Sequence, residues 1–144
     1  MAGSRSPTLG DMPDEQQHPG ARLGLPAAGV GAVVSFGPRL GAFVVDIALS
    51  AVAAFAVTAP EAPQNWSLVV WAVLTVVTVA VFGQTPGQAA LGMRVVPVDG
   101  RTTVGLWAVP RTALIFLLVP PLIMNGDGRG LHDRLCRTVV IRSR

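Results

Sequence analysis

From Leu40 to Ala59 the chain runs through twenty positions that carry a single charge, Asp46. As a helix such a run extends about 30 Å, the thickness of bilayer hydrocarbon. The pattern therefore predicts a transmembrane helix over 40–59, entered at Pro38 and stopped at Pro60. A second apolar run, Trp66 to Phe82, is rich in valine and threonine but too long for an ordinary strand. It predicts a second transmembrane helix, with Trp66 and Trp71 toward the interface. The third apolar stretch, 104–124, is interrupted early by Arg111 and late by Pro120 and Pro121, and it predicts a broken or re-entrant helical element that returns to the side it came from. Two short alternating segments, Met93 to Val98 and Arg137 to Arg142, read as strands that can pair if both lie on that side. Asp99-Gly100 supplies a turn after the first, and Pro97 confines it to a sheet edge.

Ahead of these elements, residues 1–20 hold Pro7, Pro13, Pro19, Asp11, Asp14 and Glu15 with little to bury, and 23–36 is apolar but broken by Pro26 and glycines. Residues 1–35 are expected to be a disordered or interfacial tail, 36–142 the membrane domain, and 143–144 a short C-terminal tail. The expected fold is an all-α integral membrane protein: two transmembrane helices, a third membrane-embedded element and a small basic β-like cap. Arg22 and Arg39 precede the first helix, Arg94 and Arg101 follow the second, and no arginine lies between them. By the positive-inside rule both ends of the hairpin, the N-terminus included, are expected in the cytoplasm, in a multi-pass protein of the cell membrane.

Composition supports this class. Of the 144 residues 51% are hydrophobic and 13% charged, against roughly 25% charged in soluble domains. All eleven basic residues are arginine, and they flank apolar spans rather than lining a face with interleaved aromatics. Anionic lipid headgroups are therefore the expected partner, and nucleic acid is not. One cysteine, Cys136, and two histidines, His18 and His132, make neither a disulfide nor a metal cluster. The glycines between 83 and 92 have no lysine to make a phosphate loop, and no nucleophile–base pair or paired carboxylates can be found. No enzyme, metal or cofactor is expected.

Candidate chemistry centres on Asp46, because a carboxylate at that depth costs roughly 3 kcal/mol to insert and persists only where something compensates it. Arg39 lies seven residues earlier, within about 20° of the same helical face but about 10 Å away along the axis, too far for an ion pair within the helix. Arg39 is expected to snorkel to the headgroups and Asp46 to find a partner on another element. Thr75 and Thr78, on one face of the second helix, are candidates, and so is Arg111. Ala42, Asp46, Ser50 and Ala54 recur every four residues, a small-residue stripe on which another helix can pack closely. Asp133, beside Arg134 and Arg137, is expected to form a solvated or interfacial ion pair, and Cys136 to pack inertly rather than react.

The segment Gly83-Gln-Thr-Pro-Gly-Gln-Ala-Ala-Leu-Gly-Met-Arg94 and the tail Gly130-Leu-His-Asp-Arg-Leu-Cys-Arg-Thr138, taken with Arg39 and Asp46, resemble the RDD family, named for one arginine and two aspartates. The resemblance covers about 36–142 and implies that Arg39, Asp46 and Asp133 are the signature residues. Gln88 stands where the family often has lysine or arginine. The resemblance implies an architecture and little activity, although ion transport has been suggested for some relatives. The expected role is a structural or accessory subunit of a membrane assembly, associating with itself or another membrane protein through the stripe. The alternative is an oligomeric ion or proton transporter using Asp46.

Overall fold

The computed structural model describes residues 18–117 and 128–144. Helix α1, Phe36–Thr58, starts four residues before the expected 40, after Ser35 in an extended conformation. Pro38 is tolerated because it falls in the first turn, where its missing N–H would have had no intrahelical partner. Arg39 consequently belongs to the helix and not to a lead-in. Helix α2, Trp66–Phe82, has the expected bounds and ends at Gly83, whose φ of 70° is the left-handed conformation that closes a helix. Among the described residues α1 alone is both long and apolar enough to count as a candidate membrane span, and α2 is a shorter apolar helix of 17 residues.

The buried positions of α1 are Ala42, Asp46, Ser50 and Ala54, the small-residue stripe itself. They meet α2, whose buried residues are Trp71, Thr75 and Val79, and the five-residue helix α3, Pro86–Ala90. The stripe is thus occupied within the chain, which corrects the expectation that it receives another molecule. The opposite faces carry exposed Val44, Val52 and Val57 on α1 and Val69, Val73, Val77 and Val81 on α2. Side chains so apolar and so uncovered suit lipid, not water.

Strands β1, Met93–Pro97, and β2, Thr138–Arg142, pair antiparallel with Val95 opposite Val140. Since Val95 N–H of β1 donates to the Gly83 carbonyl at the end of α2, the sheet lies at the end of the hairpin where α2 ends and α1 begins. The third element is α4, Ala108–Phe116, introduced by a 3₁₀ turn at Gly105–Trp107 and packed on α2. The expected continuation over 118–124, with Pro120 and Pro121, lies outside the described residues. The chain nevertheless returns to the same end, because helix α5, Leu131–Leu135, and β2 both pack there.

The expected tail differs. Gly31 N–H donates to Arg142 O, Arg142 N–H to Ala32 O and Val34 N–H to Val140 O, so residues 31–34 line the second edge of β2. Ala32 and Val34 are buried, and their burial gives this stretch the apolar area that the proline and glycines obscured. Residues 1–17 of the expected tail lie outside the described residues. Val34, Ala42, Val79, Met93, Val95, Val104, Ala108 and Val140 form one core joining sheet to helices.

Candidate functional site

Two carboxylates organise the cap end of the hairpin. Asp46 does not reach Thr75, Thr78 or Arg111. Its Oδ2 accepts from the Thr85 hydroxyl at 2.5 Å and its Oδ1 from the Gly87 N–H at 2.7 Å. Thr85 caps α3: its hydroxyl accepts from Gln88 N–H at 3.2 Å, and its own N–H donates to Gln88 Oε1 at 3.1 Å. The threonine and the glutamine three residues on form a capping box that the sequence carried in Thr85-Pro-Gly-Gln88 and that the expectations passed over. It positions Gly87 so close to α1 that a Cβ there would overlap the Ala42 carbonyl oxygen. Glycine is required by this close approach, and α3 docks with an N–H aimed at the α1 carboxylate.

The expected partners of Asp46 have other fates. Thr78 donates to the Leu74 carbonyl of its own helix at 2.7 Å, and Ser50 to the Asp46 carbonyl, also at 2.7 Å. Thr75 is buried beside them, with no hydrogen-bond partner for its hydroxyl. Arg111 serves the second carboxylate.

Asp133 is not a surface ion pair with Arg134 and Arg137, which are exposed. Its side chain is fully buried, its Oδ2 accepts from Arg39 Nη1 at 2.6 Å and its Oδ1 from Arg111 Nη1. His132 Nε2 lies 3.3 Å from the same Oδ1. Arg39 does not snorkel, because two further bonds hold it inward, Nε to Val34 O at 2.9 Å and Nη2 to Gly128 O at 3.1 Å. One guanidinium thus ties the start of α1 to α5 and to the N-terminal edge of the sheet. Burial by itself would raise the Asp133 carboxyl, but Arg111, His132 and Arg39 outweigh it and hold the group well below the usual carboxylate range. Cys136 is buried, and burial pushes its thiol up, which suits packing and not nucleophilic chemistry.

Between the clusters lies a cavity of about 120 Å³, bounded by Phe36, Leu40, Phe43 and Asp46 of α1, Trp71 and Thr75 of α2, and Arg111 and Ile115 of α4, with Gln88 and His132 at its cap end. Trp71 closes the far end, meeting Phe43 edge-on at 5.7 Å and Phe116 at 6.5 Å. Among the described residues no cluster of histidine, cysteine and carboxylate could hold a metal ion.

The model of the RDD family matches residues 62–137. That stretch contains Thr85, Gly87, Arg111 and Asp133, while Arg39 and Asp46 precede it. No curated protein and no solved structure matches the chain.

Proposed function

The chain belongs to the RDD family, and on that footing we propose that it is a multi-pass protein of the cell membrane serving as a structural or accessory subunit, without enzymatic activity. In this reading α1 and α2 both cross the bilayer, since 17 residues is within the roughly 17–25 that a span needs. The N-terminus and the arginine-rich cap face the cytoplasm and its anionic headgroups.

The observation that carries the proposal is the closure of Asp46. Both of its oxygens are filled by donors of the same chain, the Thr85 hydroxyl and the Gly87 N–H. A carboxylate so engaged acts as a fastener between α1 and the segment after α2. An exposed carboxylate would be needed to take up and release a cation. The transporter alternative draws its support from Asp46 also lining the cavity.

Asp46→Asn separates the two. Asparagine Oδ1 can accept from Gly87 N–H while Nδ2 donates to the Thr85 hydroxyl, which keeps one lone pair beside the bond it accepts from Gln88 N–H. The Asn protein is expected to accumulate in membranes near the wild-type level and to co-purify in mild detergent with whatever accompanies the wild type. Asp46→Ala leaves two buried donors unpaired and is expected to cost about 1–3 kcal/mol and much of the yield. Proton or cation flux in reconstituted vesicles that is present for wild type and abolished for a normally abundant Asn protein would replace the subunit reading with the transporter.

A further inference from the structure

The cavity between α1, α2 and α4 is a partly open pocket and not a sealed void. At about 120 Å³ it approaches the roughly 150 Å³ engineered cavity that holds a benzene molecule in another protein. Half of its bounding residues are apolar or aromatic, among them Phe36, Leu40, Phe43, Trp71, Ile115 and Val140, and apolar atoms make up most of the surface it exposes. Its charged groups are engaged within the chain, two guanidiniums on one carboxylate and a second carboxylate on uncharged donors. Arg39 and Arg111 hold Asp133, and Asp46 is held by Thr85 and Gly87. Thr75 lines the same space, is only 3% exposed, and has a hydroxyl without a partner. A buried hydroxyl left in this state costs free energy that one acceptor would restore.

We propose that this cavity binds a neutral lipophilic molecule whose carbonyl oxygen accepts from the Thr75 hydroxyl while its apolar body lies against Trp71, Phe43 and Ile115. Neutrality follows from the mostly apolar surface of the pocket, which would strip water from an ion at high cost. Access is from the lipid side: Leu40, on the cavity wall, is 48% exposed and continuous with the apolar outer face of α1. Depth excludes the ester groups of ordinary phospholipids. Thr75 lies eight residues before Gly83, where α2 ends, about 12 Å along the helix, whereas phospholipid esters stay near the headgroups. Carbonyls that dissolve at that depth belong to molecules without a polar head, such as an isoprenoid quinone or a neutral acyl ester.

The inference rests on α1 and α2 lying in the bilayer, which membrane fractionation and detergent extraction report separately from ligand binding. Trp71 is the native probe once Trp66→Phe and Trp107→Phe remove the other tryptophans. Protein in phosphatidylcholine nanodiscs is titrated with methyl dibromostearate, with dibromo-octadecane, which has the chain but no carbonyl, and with a decyl-substituted benzoquinone. Saturable quenching of Trp71 by the ester or the quinone, with the alkane weaker by about fivefold, is expected, and whichever carbonyl binds more tightly identifies the source. Thr75→Val should reduce the ester to the level of the alkane, and Ile115→Phe should weaken both by filling the cavity from its half-exposed wall. Quenching that rises linearly and equally for ester and alkane, or that ignores Thr75→Val in protein of normal abundance, would show a cavity holding only water or bulk lipid and overturn the proposal.

Discussion

At Gly87 the backbone of α3 comes so close to the Ala42 carbonyl that no side chain fits. Gly87→Ala must push α3 away from α1 and stretch the N–H bond to Asp46. The expected cost is about 1–3 kcal/mol, as for overpacking elsewhere, read as a lower midpoint of thermal unfolding in detergent. Gly37→Ala, where a Cβ meets nothing within 4 Å, should leave that midpoint nearly unchanged. Asp133 makes the opposite kind of demand, for charge in place of space. Asp133→Asn strands the Arg39 and Arg111 guanidiniums in a buried site, and breaking a buried pair from one side costs about 3–5 kcal/mol, a large part of the stability of a small domain. Because the folded protein holds this carboxyl below its ordinary value, its contribution is complete above the unfolded carboxylate pKa of about 3.9. It is lost as the pH falls below that value toward and through the folded one. Cap opening measured by hydrogen exchange should therefore rise in strong acid as Asp133 protonates, while Asp133→Asn should open more than the wild type near neutral pH and converge with it in strong acid.

At the scale of elements, the register of α1 is fixed by which face meets α2. Ala54→Leu puts a branched side chain into that contact, where the native residue is 1% exposed. It is expected to cost about 1–3 kcal/mol and to reduce yield, whereas Ala48→Leu, on an exposed face, should accumulate normally. Since the stripe is filled by α2 and α3, the loss should appear as unfolding of the single chain and not as a smaller oligomer. Size-exclusion chromatography with light scattering distinguishes the two outcomes.

For the whole molecule, one end of the hairpin gathers the start of α1, the sheet and α5, so both termini are expected on one side of the membrane. Cys136 cannot report this, being buried with its thiol pushed up; it should resist maleimide even after lysis. Ser143→Cys, exposed beyond β2, should remain unlabelled by an impermeant maleimide on intact cells and label fully after lysis. Labelling of intact cells would put the cap outside. Long-range order dictated which of these features the sequence could disclose. The bounds of α2, the β1–β2 pairing and the buried face of α1 were legible because each is a periodicity written in consecutive residues. The capping box at Thr85-Pro-Gly-Gln88 is equally local, a threonine and a glutamine three residues apart that need no tertiary contact to be read. The partners of Asp46 and Asp133 were of another kind. Thr85 lies 39 residues from Asp46 and Asp133 lies 94 from Arg39, distances over which no periodicity constrains an encounter. Sequence determined that α1 must carry a compensated carboxylate, because hydrocarbon penalises a bare one wherever the chain goes. Only the tertiary structure decided that the compensation comes from the α3 backbone and a threonine, with Arg111 drawn off to Asp133, because that choice depends on which groups the packed helices bring within 3 Å of each other.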